Sequence, residues 1–259
     1  MEQKADRRRG IQSVEIGLRV LDALVGLGKA SPLSAIAQAS GLPASQAHRY
    51  LASLIVAGMA RQDATSGRYD VGPAALRLGL GALARIDAVQ ITDAAITAYS
   101  ERTGRTVQIA ALGPLGPTII RWSVGRPPVM TSFNIGSVLP LLTSATGQIF
   151  LSYAAANEIE PLLGAELAAS GQTREEVEAI RRRVLAEGMA GVEGTMIPGL
   201  RAVAFPIFDL QGRAILSATA LSTGSAMLPR EQASTAELGK VCRQISLQLG
   251  YAGNVHGDD

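Results

Sequence analysis

The chain has 259 residues, 47% hydrophobic and 18% charged, which is enough apolar matter for a buried core and too little charge for a disordered polyelectrolyte. Its one cysteine, Cys242, excludes an internal disulfide, and its two histidines exclude a Cys/His zinc cluster; no metal or cofactor is expected, and a reducing cytoplasm is the natural setting. The net charge of +2 is uneven: residues 1–85 hold 11 Lys/Arg against 6 Asp/Glu, so this part carries +5 and the remainder −3, an asymmetry that points to a polyanionic partner for the N-terminal third.

Residues 1–10 (MEQKADRRRG) read as a charged arm, without the apolar stretch of a secretory signal. Ser13 reads as the N-cap of a first helix, with Val14, Leu18, Leu21, Leu24 and Val25 at helical spacing and Gly26 and Gly28 ending it. Ser31 reads as the cap of a second helix that buries Leu33, Ile36 and Ala37 and stops at Gly41. A third starts around Pro43-Ala44, turns Ala47, Tyr50, Leu51, Leu54 and Ile55 inward, and closes at Gly58. Met59–Gln62 and Arg68–Val71 then flank a turn at Asp63–Gly67 and predict a hairpin. Three helices and a hairpin make a winged helix over residues 11–72, with the helix-turn-helix at about 33–52. A connecting helix, weakened by Gly79 and Gly81, fills much of a linker over 73–87.

The second half, 88–252 with a tail at 253–259, follows a different pattern. Helices are predicted over Val89–Thr103 and Thr143–Ala156, with strands at Thr106–Leu112 and Thr118–Val124. Thr173 to Glu176 is a capping box for a helix ending near Gly188. Strands at Ala202–Phe208 and Ala214–Leu221 flank the turn Asp209–Gly212, and a terminal helix covers Pro229–Leu249. The fold class is therefore α+β: an N-terminal winged helix-turn-helix, then an α/β domain with a mainly antiparallel sheet. Between Arg126 and Glu158 no residue is charged, but the prolines, Asn134, Gln148 and several hydroxyls read as buried soluble structure and not as a membrane span.

The third helix leaves Ala44, Ser45, Gln46, His48 and Arg49 outside its core set, in the first two turns, where a recognition helix meets base edges. Arg49 suits guanine, Gln46 adenine, and Ser45 or the first amides a phosphate. The alternative is an ordinary solvated face. Arg68 and Tyr69, at or just below the hairpin tip, add a phosphate or minor-groove contact, against the alternative that Arg68 pairs with Asp63 or Asp70. Double-stranded DNA is the partner these features call for.

The stretches Leu42–Leu51 (LPASQAHRYL), Gly58–Arg61, Gly67–Gly72, Gly136–Leu141, Ala145–Gly147, Gly199–Ala204 and Pro206–Asp209 together resemble transcriptional regulators of the IclR type, over roughly Ile11 to Tyr251. The resemblance implies a C-terminal domain that binds a small organic acid effector. Thr143, Ser144, Ala145, Thr146 and Gly147 make the first turn of a helix whose free amides and hydroxyls can hold an anion without a lysine. The alternative is that Thr143 or Ser144 only caps its own helix. By motif position, Glu193, Ala202, Thr219 and Leu221 complete the implied effector site. Leu142, Gln148, Gly194-Thr195 and Leu221 depart from the polar, basic, acidic and small hydroxyl residues common at those places, which tilts the expectation towards an aromatic or hydrophobic acid. Arg201 is equally a structural arginine and stays outside the site.

No catalytic residues are expected. His48 and His256 sit near no nucleophile, Cys242 follows Leu238 and Val241 at helical spacing as a core residue, and no phosphate-binding glycine loop is present. The competing functions are a small-molecule enzyme or a protein-interaction module retaining a winged helix. A homodimer is expected, through the first helix and the 73–85 connector, because one short recognition helix gives little specificity alone; the resemblance extends this to a tetramer.

Overall fold

The computed structural model describes residues 11–83, 87–223 and 229–253. The charged arm 1–10, the linker end at 84–86 and the tail from 254, with His256, lie outside the described residues. The chain divides into two compact units, Met1–Ile86 and Asp87–Asp259.

In the first unit, α1 (Gln12–Gly26), α2 (Leu33–Ser40) and α3 (Ala44–Val56) pack Val20, Leu24, Ile36 and Leu51 into one core, which Ala60 and Tyr69 close from the hairpin. That hairpin pairs β1 (Ala60–Gln62) with β2 (Tyr69–Val71), and α4 (Pro73–Leu83) follows. Two helix starts differ from the sequence expectation. Ser13 lies inside α1, whose N-cap is Ile11. Ser31 caps nothing: its backbone exchanges hydrogen bonds with Tyr69, 2.8 Å each way, so it serves as a strand partner of the wing and leaves the cap position of α2 to Pro32. Gly41 ends α2 with φ +67°, the left-handed conformation that lets the chain reverse into α3.

The second unit is a five-stranded antiparallel sheet in the order β4-β3-β7-β6-β5. Its strands are β3 (Thr106–Gly113), β4 (Gly116–Ser123), β5 (Ala190–Glu193), β6 (Leu200–Phe208) and β7 (Ala214–Thr223). On one face, α5 (Ala88–Thr103) and α9 (Pro229–Gln248) bury Ile96, Tyr99, Leu238, Cys242 and Ile245 against Val107, Ile109, Ala218 and Ala220. Complete burial pushes the Cys242 thiol well above its ordinary range, so it is an inert packing residue. On the other face lies α6 (Ala145–Tyr153), backed by α7 (Ala156–Ser170) and α8 (Arg174–Glu187). The capping box at Thr173 and Glu176 is present.

The helix expected over Thr143–Ala156 is shorter, because Ser144 takes the cap position and Ala154 leaves the helix in an extended conformation. The helix α7 and the short edge strand β5 had no counterpart in the sequence expectation. The uncharged stretch becomes a loop whose residues 136–139 hydrogen-bond to the outer edge of β4, followed by α6. Among the described residues no helix is long and apolar enough to cross a membrane.

Phe150 is fully buried, on the face of α6 that meets Leu141, Leu142, Leu163 and Val177. Phe150→Ala is expected to destabilise the second unit by about 3–5 kcal/mol, read as a lower urea midpoint at an unchanged m-value.

Candidate functional site: a DNA-reading helix and an enclosed pocket

On α3, burial of Ala47 and Leu51 fixes the helix against its core and turns Ala44, Ser45, His48 and Arg49 to solvent, with Gln46 half-buried beside them. The hydroxyl of Ser53 turns back to the Arg49 carbonyl at 3.2 Å. The wing presents fewer contacts than the sequence promised. Tyr69 is a core residue, buried among Val20, Leu24 and Leu51, and is not presented at the tip. Arg68 is exposed, and its Nη1 donates to the Ala30 carbonyl at 3.2 Å, which holds it over the turn between α1 and α2. Neither of its anticipated acidic partners is used: Asp70 accepts from Arg61 at 2.6 Å, and Asp63 accepts from the Ser66 hydroxyl and amide at 2.7 Å each. These hydrogen bonds, from Ser66 to Asp63 and from Arg61 to Asp70, hold both carboxyls below their ordinary range.

In the second unit, α6, β3, β6, β7 and the connection between β5 and β6 line a narrow pocket with an open interior of about 30 Å³. Its body is apolar: Phe133, Leu139, Val192, Met196, Ile197, Leu200, Ala202 and Leu221. Its polar lining is Gln108, Ser144, Thr146 and Thr195, with no ionisable side chain. The Thr146 hydroxyl lies 2.7 Å from that of Thr219 and accepts from Gln108 Nε2 at 3.1 Å, so three buried polar groups satisfy one another beneath the first turn of α6.

That first turn is held from three sides. The Ser144 hydroxyl accepts from the Gly147 amide at 2.8 Å and donates to the Pro140 carbonyl at 2.7 Å. Glu166, on α7, receives the amides of Leu141 and Leu142 at 2.7 and 2.9 Å. Gly147 touches the loop so closely that a Cβ there would stand 2.0 Å from the Pro140 oxygen. The amides of Ala145 and Thr146 have no acceptor among the described residues, and both residues line the pocket.

Of the residues expected at the effector site, Ser144, Ala145, Thr146, Ala202 and Leu221 meet at this pocket. Thr143, Gly147, Glu193 and Thr219 do not line it. The Thr143 carbonyl accepts from the Thr195 hydroxyl at 2.7 Å, Gly147 is spent on the loop contact, Glu193 is exposed on β5, and Thr219 supports Thr146 from below. Arg201 is buried and ion-paired with Glu231 at 3.0 Å, the structural role left open for it. Most of the apolar wall had no counterpart in the expectation. One signal for it was present: Met196-Ile197 between Gly194 and Gly199, an apolar pair in a turn-like segment where solvent would favour polar residues.

A winged helix with a polar, exposed third helix, joined in one chain to a domain with an apolar pocket at a helix start, is the arrangement of a ligand-responsive DNA-binding protein. Known proteins agree. Residues 13–64 match the IclR helix-turn-helix domain, and residues 80–249 match the C-terminal domain of bacterial IclR transcriptional regulators. HmgR of Pseudomonas aeruginosa, a solved structure, is 33% identical with a TM-score of 0.77, covering 94% of this chain and 100% of its own. The regulator XynR of Escherichia coli is 26% identical over 93% of this chain and 97% of its own length. An IclR homologue from Microbacterium hydrocarbonoxydans, solved in complex with 4-hydroxybenzoate, shares the fold at 20% identity and a TM-score of 0.50, over 92% of this chain and 98% of its own. The chain belongs to the IclR family of transcriptional regulators, with a DNA-binding helix-turn-helix and a C-terminal effector-binding domain.

Gly147→Ala is expected to displace the Pro140–Leu141 loop and destabilise the second unit by about 3 kcal/mol, as overpacking of a rigid contact does, whereas Ser144→Ala removes the cap and the bond to the Pro140 carbonyl, together worth about 1–2 kcal/mol. Urea denaturation of the two variants checks both the order and the size.

Proposed function

We propose that the effector of this regulator is a small organic acid with an apolar, aromatic body, held in the pocket at the start of α6. The observation that carries the reading is the pairing of two unengaged amides, those of Ala145 and Thr146, with an apolar wall that holds no charge. Amides at a helix start favour an anion, and a wall free of arginine and lysine gives most of the binding to apolar contact. The open interior is only about 30 Å³, so an aromatic ring enters with an outward movement of the Met196-Ile197 wall. That one family member is solved with 4-hydroxybenzoate supports the same ligand class. On this reading the pocket binds without turnover, and the protein acts in the cytoplasm on its operator.

DNA is read by Ser45, Gln46, His48 and Arg49 of α3, with Arg68 as a backbone contact from the wing. Residues 11–72 serve as the DNA-binding domain, 73–87 as the link, and 88–252 as the effector domain. The effector acts only through its difference in affinity between two arrangements of the protein; tight binding alone shifts nothing.

A footprint on DNA flanking the protein's own gene, with and without a panel of aromatic and short-chain acids, tests the reading. A protected, roughly palindromic site altered by an aromatic acid is expected; a response confined to small polar acids overturns the ligand assignment. Arg49→Ala is expected to weaken specific binding by about 1–3 kcal/mol and relax sequence preference, while affinity of the parent falls steeply with salt.

The working species is a homodimer. Ile11, Val14, Leu18 and Val25 are exposed and spaced along one stripe of α1, which supports a helix-to-helix contact with a second copy. Leu18→Glu is expected to shift sedimentation towards the monomer and to abolish protection of the palindrome while leaving the helical circular dichroism of the folded chain at the parent level. A tetramer in the parent that breaks into dimers in Leu18→Glu places this stripe in one of its two interfaces.

A further inference from the structure

A second cleft in the effector domain has the opposite chemistry to the apolar pocket. The start of β3, the end of β7 and the first turn of α9 enclose about 740 Å³, mouth included, and Leu221 borders both spaces. Arg105, Arg126 and Arg230 line this cleft, with Glu231 as its one carboxylate. Glu231 is already engaged: Arg105 Nη1 reaches its Oε1 at 2.8 Å and Arg201 Nη2 its Oε2 at 3.0 Å. Arg105 and Arg201 thus share one carboxylate, and Arg126 and Arg230 line the same cleft as Arg105. Neither Arg126 nor Arg230 belongs to an ion pair among the described residues, and Arg105 Nε is buried there without an acceptor.

Gathering like charges at a cleft is unfavourable unless an anion completes the set. The Arg126 backbone is held in place, its amide donating to the Gly104 carbonyl at 2.8 Å, so its side chain starts from a fixed point on the rim. Planar guanidinium forks match the oxygens of a phosphate bidentately, and they remain charged at every physiological pH. We propose that this cleft is a second ligand site, taking the phosphate dianion of a small phosphorylated metabolite. The assignment is independent of which acid fills the apolar pocket.

Inorganic phosphate and pyrophosphate are the probes, titrated into the full chain by calorimetry with ionic strength held constant by chloride. Saturable binding is expected, tighter for pyrophosphate, and weakened about tenfold or more in the Arg126→Ala/Arg230→Ala double variant as the two charge-assisted contacts are lost. Both positions are exposed, so the urea midpoint is expected to stay at the parent value. Should the double variant fold poorly, Arg126→Gln and Arg230→Gln singly are each expected to weaken binding. Arg49→Ala is expected to leave phosphate binding unchanged. A non-saturating response, full binding in the arginine variants, or loss of binding in Arg49→Ala overturns the proposal. So does a loss of duplex affinity in the double variant with phosphate binding intact, which assigns the two arginines to DNA.

Discussion

The contact between the Pro140–Leu141 loop and the first turn of α6 governs the effector domain. It exists because residue 147 has no side chain: a Cβ there would overlap the Pro140 oxygen at 2.0 Å. Once the loop lies against the helix, the Ser144 hydroxyl can bridge the Gly147 amide and the Pro140 carbonyl, and the Glu166 carboxylate can take the next two loop amides. Each of these bonds satisfies a group that would otherwise be costly to bury. They leave the first two amides of α6, those of Ala145 and Thr146, without an acceptor among the described residues, and both residues line the pocket. The ligand-facing surface is what remains after the structural bonds are made.

The surroundings of that surface set the kind of discrimination available to it. Gln108 Nε2, Thr146 and Thr219 are linked by hydrogen bonds beneath the helix start, which fixes these side chains in the pocket floor. Selectivity then falls to shape, through Phe133, Leu139 and the Met196-Ile197 pair, and to the sign of charge at the amides. A missing or extra methylene in such a pocket is worth only about 1–3 kcal/mol, so ligands of similar outline compete. The connection carrying Met196 and Ile197 bends at Gly194 and Gly199, both at positive φ (+66° and +75°), and is fastened to the α6 loop by the Thr195 hydroxyl. Wall and helix start are thereby coupled: a ligand that displaces the one strains the hydrogen bond to the other.

What was legible in the sequence follows the range of the signals. The three winged-helix helices, the hairpin and the capping box at Thr173 are written in local spacing and in glycine stops, and they stand where that spacing puts them apart from the first residues of α1 and α2. The strand β5 has four residues, one of them Gly191, too short for alternation to register. Ser31 carried a correct residue type for a cap, yet its backbone was claimed by a strand partner 38 positions away, and no local pattern reports that. The same limit applies to the pocket. Ser144, Ala145 and Thr146 announce themselves as a helix start, but Phe133, Leu139 and Val192 come from a loop and an edge strand without periodicity, and only the closed sheet brings them together. Tyr69 beside an exposed arginine looked like a surface residue because alternation in a three-residue strand does not say which face is the core.

On the two proposals, the clefts of the effector domain would divide the chemistry of anion binding between them. One offers neutral donors in an apolar setting, where a carboxylate gains from the low polarity of the wall only if its charge is met by aligned amides. The other offers guanidiniums with access to solvent, where a charge is met by charge and salt competes for it. Leu221, at the end of the central strand β7, separates them. Because β7 is hydrogen-bonded on both sides, to β3 and to β6, it cannot shift at Leu221 without disturbing the strands that carry Gln108 and Ala202. Any movement of that residue on filling one cleft therefore alters the wall of the other. The sheet thereby supplies a physical route by which two chemically unlike ligands can bias the same domain.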